Sequence, residues 1–141
     1  MNNQLLIHVI KTIAYRFVKS TTGSTATFGT LKINDHTRSP NEIIFHMYDL
    51  AVKTTTMIKE GHFNVPIPQP LNFHDEQKRF LTALQDLQSV LEESHLEQAL
   101  SQKLLQGPLL DMVTHVGQLA MLNGIHGNRI PKESYFNAKI N

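Results

Sequence analysis

Apolar residues at Leu6, Val9, Ile10, Ile13 and Phe17 recur with helical spacing and predict a first helix over residues 3–20. Residues 21–37 are rich in Thr, Gly and Ser and predict a long connection. The next start is sharply marked. Ser39 suits an N-cap, Pro40 the first helical position, and Glu42 closes a capping box. Ile43, Met47, Leu50, Thr54, Met57 and Ile58 then line the buried face of a second helix, which Gly61 ends. Residues 63–70 hold Pro66, Pro68 and Pro70 and cannot be helical throughout. Phe80, Leu81, Leu84, Leu87 and Leu91 predict a third helix over residues 74–93. Residues 96–105 read as a short helical lead-in, and Gly107-Pro108 predicts a break and a restart. The fourth helix, residues 108–123, is expected to turn Leu109, Met112, Val113, Val116, Leu119 and Ala120 inward and to close at Gly124. Beyond the turn residues Gly127, Asn128 and Pro131, Tyr135-Phe136 is expected to dock on the helices.

Four amphipathic helices without a strand pattern define an all-α class, a four-helix bundle with long connections and a docked C-terminal tail. The expected organisation is one domain over residues 1–141, long enough to bury a core without covalent staples. Consecutive helices are expected to run antiparallel, although the connections after the first and second helices are long enough for other topologies.

Composition narrows the function classes. A formal net charge of +1, with Lys and Arg scattered, leaves no basic stripe for nucleic acid. The N-terminal apolar stretch is broken by His8, Lys11 and Arg16, so neither a signal peptide nor a membrane span is expected, and the cytoplasm is the default location. The chain has no Cys. Disulfides and Cys-type zinc sites are excluded, and any sulfur chemistry requires a small-molecule thiol.

The chemistry concentrates in few residues. His46 borders the apolar stripe of the second helix, and Asp111 and His115 lie one turn apart on the fourth. Two imidazoles and a carboxylate converging in a bundle suit zinc, nickel, iron or manganese. Three protein ligands with an open position are a catalytic rather than a structural arrangement. Asp49, one turn after His46, is a candidate fourth ligand or a hydrogen-bond acceptor behind His46. Gln118, one turn beyond His115, either bonds within the pocket or faces solvent. Each histidine taken alone is more simply a border residue satisfied by water or a neighbour. His8, His36, His62, His74 and His95 fall on surface or connecting positions, and His126 lies near one mouth of the bundle.

The segment LLQGPLLDMVTHVGQLAMLNGIHGNRIPKESYF, residues 104–136, contains His115-Val116-Gly117-Gln118, and SPNEIIFHMYDL, residues 39–50, contains His46. In this order and separation the two segments resemble the fourth and second helices of the DinB-like superfamily of four-helix-bundle metalloenzymes. The resemblance covers most of the chain from Arg38 onward. It implies a divalent-metal site formed by His46, Asp111 and His115, with Asp111 standing where His is commoner. It further implies homodimers and thiol-dependent S-transferase or isomerase activity using low-molecular-weight thiols such as bacillithiol or mycothiol.

Two functions follow as expectations. One is a metal-dependent enzyme, a transferase or hydrolase, acting on a small electrophilic substrate. The other is a non-catalytic helical bundle that binds a small molecule or dimerises and keeps a degenerate metal site.

Overall fold

The computed structural model describes residues 3–141, and among them every regular element is helical. Helix α1 spans Gln4–Thr21, a single turn α2 spans Ala26–Gly29, α3 spans Pro40–Glu60 and α4 spans Phe73–Glu93. Helix α5, Gln98–Leu104, passes through a widened π turn at Leu105–Leu109 into α6, Leu110–Ile125. The expected all-α class and the first three long helices match to within a residue or two.

Local chemistry sets these boundaries. The Ser39 side chain accepts from the Glu42 backbone N–H while the Glu42 carboxylate accepts from the Ser39 N–H, so the capping box is complete. At the other end of α3, Gly61 takes the left-handed conformation at φ 80 and its N–H closes on the Met57 carbonyl. The expected break at Gly107-Pro108 is absent. Pro108 has no N–H and would clash with a carbonyl one regular turn back. A wider turn relieves both problems, and the Leu110 N–H reaches back five residues to the Leu105 carbonyl. The expected stop at Gly124 also moves: α6 continues to Ile125, and the glycine with positive φ is Gly127.

The order of packing departs from a simple antiparallel series. Asn3, before α1, donates to the Leu91 and Ser94 carbonyls at the end of α4, so α1 and α4 are antiparallel. Asn123, near the end of α6, donates to the Ser20 carbonyl near the end of α1, so those two run in parallel. Gly29 sits between the first turns of α3 and α4, where a Cβ would fall 2.8 Å from Phe73 Cβ and also collide with Asn41. Helices α3 and α4 therefore start at the same end and run in parallel. A helix of 21 residues is about 31 Å long, and the chain must return over that length before α4 begins. Residues 61–72, extended by their prolines, can span about 37 Å at polyproline rise.

This return strap is fastened to the bundle. Buried Glu76 accepts from the Leu71 N–H at 3.0 Å and pairs with Arg79 at 2.7 Å. Arg79 also donates to the Gln69 carbonyl and lies 4.2 Å from the Tyr48 ring centre. Within the core, Phe17 of α1 meets Phe80 of α4 edge to face at 4.8 Å, and Phe28 of α2 meets Phe73 at 5.7 Å. The Thr-rich connection thus contains a buried anchor its composition did not reveal. The tail docks as expected through Tyr135, under Arg16, and through Glu133, which pairs with Lys19 and accepts from the Tyr15 hydroxyl. Phe136 does not dock; it is 97% exposed.

Helix α6 is apolar on nearly every side, with no Asp, Glu, Lys or Arg between Asp111 and Arg129. Periodicity therefore could not orient it, and Val113, expected inside, faces outward. Gly117 and Gly124 lie within this helix, where each is less favourable than Ala by about 1 kcal/mol. A Cβ at either would meet nothing within 4 Å.

The Ser39→Ala variant should lose about 1 kcal/mol of stability, lowering the melting temperature by about 3 °C. Glu42 is held down to about 2 by the Ser39 backbone N–H and by Lys32, from an ordinary value of 4.5. Its contribution is thus present above pH 4.5 and fades toward pH 2. In thermal melts, the gap between wild type and Glu42→Gln should close over that window.

Candidate metal centre

Helices α3 and α6 pass each other antiparallel, bringing His46 opposite Asp111 and His115. His46 Nε2 lies 3.5 Å from Asp111 Oδ2, and His115 Nε2 lies 3.5 Å from Asp111 Oδ1. The imidazole rings are perpendicular with centres 4.9 Å apart. One ligand atom from each of the three residues falls within 4.8 Å of the others. These separations are long for hydrogen bonds, which cluster at roughly 2.7–3.2 Å. Each is close to the edge of about 3.4 Å in a tetrahedron with bonds of about 2.1 Å, although the two run to different oxygens of Asp111 and one donor atom from each residue lies within 4.8 Å of the others. The donor set of two nitrogens and a carboxylate therefore fits a single divalent cation.

Orientation is set by a neighbour. His115 Nδ1 lies 2.8 Å from the Gln118 side-chain oxygen, so that nitrogen carries the proton and donates. Nε2 is left with its lone pair toward Asp111 and His46, the tautomer a metal requires. Gln118 combines the two expected positions: its side-chain oxygen bonds His115 while the residue remains exposed to solvent.

His46 is prepared differently. Burial pushes its pKa below the ordinary 6.5, the Arg38 and His115 charges push the same way, and the Asp111 hydrogen bond and charge oppose them. The imidazole is consequently neutral near pH 7 and available as a donor. Arg38, just before the α3 cap, has no place in the helical periodicity, so nothing in the hydrophobic pattern pointed to it.

The remaining candidates lie elsewhere. The Asp49 carboxylate pairs with Lys53 at 2.7 Å, one turn along α3, and is not among the three clustered residues. It shares with His46 the wall of a depression of about 480 Å³ beneath the strap. His126 packs on Phe28 with centres 5.7 Å apart, away from the site. His62 and His74 bond locally to Asn64 and Gln77. A second depression of about 530 Å³ runs between α3 and α6 from Asp111 to the π turn, bordered by Leu50, Lys53, Phe63 and Thr114. The site is thus open to small molecules from two sides.

No family model, curated protein or solved structure matches the chain. Among the described residues no helix is long and apolar enough to cross a membrane.

In an NMR titration of the metal-free protein, His46 should titrate below the ordinary imidazole value of 6.5. Arg38→Gln should move it partly back upward and Asp111→Asn further down. An unchanged His46 in both variants would contradict the electrostatic account.

Proposed function

We propose that this chain is a divalent-metal-dependent enzyme of the DinB-like type, acting on a small electrophile with an exogenous low-molecular-weight thiol or water as nucleophile. The observation that carries this reading is the facing of His46, Asp111 and His115 across two helices, at ligand spacing, with Gln118 fixing the tautomer. His46 and His115 would hold the cation through Nε2, and Asp111 would hold it through a carboxylate oxygen. A divalent cation bound there lowers the pKa of a thiol or water beside it, supplying the anion at neutral pH. Burial of His115 excludes water from one side of the site, whereas Asp111 borders the groove toward the π turn and leaves a path for reactants. The absence of Cys means that a thiolate would be a co-substrate.

The test begins with protein prepared without chelators or nickel resin. About one zinc, nickel, iron or manganese ion per chain is expected, and it should be lost in His46→Ala and His115→Ala. At a hundredfold excess over its dissociation constant, the metal should stabilise the fold by about 2.7 kcal/mol. Gln118→Leu should weaken metal affinity about 10–100-fold while leaving all three ligands in place. In the cobalt-loaded protein, an added thiol should produce a sulfur-to-cobalt charge-transfer band, which the Cys-free chain cannot supply itself. Absence of bound metal, with no thermal shift on adding zinc or nickel, would leave only a helical binding module.

A further inference from the structure

The depression of about 480 Å³ beneath the strap is lined by His46 and by Arg38, Glu42, Asp49 and Glu76. Each of the three carboxylates has its own cation. Glu42 accepts from Lys32 at 2.9 Å, Asp49 from Lys53 at 2.7 Å, and buried Glu76 from Arg79 at 2.7 Å. Arg38 is exposed, and among the described residues its guanidinium has neither an ion-pair nor a hydrogen-bond partner. On an open surface an arginine needs only water. Arg38 instead shares a concave wall with His46, near enough for its charge to bear on the imidazole.

On the divalent-metal reading of the site, on which this inference rests, the charges do not balance. With neutral imidazoles, a divalent cation and its Asp111 ligand leave one positive charge, and Arg38 adds another. The thiolate or hydroxide of the proposed reaction cancels one of them. Arg38 would repel the metal unless a second anion, carried by a reactant, lies beside it. The planar fork of an arginine pairs with a carboxylate or a phosphate through two parallel hydrogen bonds. Glu42 and Asp49 line the same depression, and their charges oppose a dianion more strongly than a monoanion. A carboxylate is therefore the better fit. Phe45 and Leu71 give the carbon skeleton behind it an apolar wall.

We infer that Arg38 holds a carboxylate group of a reactant in the depression beneath the strap, with the reacting end of that molecule toward His46. In the metal-free protein, propionate titrated at constant ionic strength should shift the backbone resonances of Phe45 and His46 saturably, and propionamide should not. Arg38→Gln, which has no partner to lose, should keep the wild-type melting temperature and abolish the response. No saturable shift, or one that persists in Arg38→Gln, would overturn the inference. Inorganic phosphate binding more tightly than propionate would overturn the carboxylate assignment. The cobalt-loaded protein then identifies which reactant carries the group. Mercaptopropionate binding about tenfold more tightly than mercaptoethanol, only with Arg38 intact, places it on the thiol. Propionate adding to the mercaptoethanol complex, again only with Arg38 intact, places it on the electrophile. Neither effect in a protein that binds cobalt would also overturn the inference. A protein that binds no cobalt would overturn the proposed activity alone, and the propionate titration would still decide the role of Arg38.

Discussion

The arrangement depends on one constraint: α3 and α4 run in parallel, so the chain between them must return along the whole length of a helix. A short turn would have made them antiparallel neighbours and reversed the course of everything after residue 73. Three prolines keep the return extended, and the buried Glu76–Arg79 pair fastens its last residues to α4. With that return in place, α3 lies antiparallel to α6, and a histidine two turns into one helix meets a carboxylate and a histidine on the other. The strap borders the depressions on either side of the donors, and it decides which helices carry them face to face.

Within that frame the donors are adjusted by ordinary means. Burial and the Arg38 charge keep His46 neutral, and a side-chain amide holds the His115 proton on the far nitrogen. Asp111 remains 45% exposed, so its charge needs no buried counter-ion. Its two oxygens each face one ring nitrogen, Oδ2 toward His46 and Oδ1 toward His115.

Much of this was legible in the residues. The capping box at Ser39, Pro40 and Glu42 and the glycine at 61 defined α3 almost to the residue, because caps are local chemistry. His46 and His115 stood out at the borders of the expected apolar stripes, and Asp111 because it lies one turn before His115. The parallel course of α3 and α4 was not legible, since a long connection permits either direction. Gly107-Pro108 read as a break because the residues that end helices also mark widened turns. Val113 was placed inward because a helix apolar all round has no preferred face for periodicity to find. Phe28 was hidden among Thr and Gly, where one large residue gives no period. Asp49 shared the turn of His46, but spacing alone could not show that Lys53 would claim its charge.

The π turn has a consequence for how the two halves of the last helix are keyed to each other. Carried in a regular helix, one extra residue would rotate everything after it by about 100°, and the widened turn absorbs it instead. Residues 98–104 and 110–125 therefore follow different angular phases while sharing one axis. Removing a single residue between Leu105 and Leu109 would restore a regular helix and leave Asp111 and His115 facing α3 nearly as before, whereas a regular helix that kept every residue would swing them a quarter-turn around the bundle. The ligand geometry is thus indexed by a one-residue surplus several positions upstream of either donor.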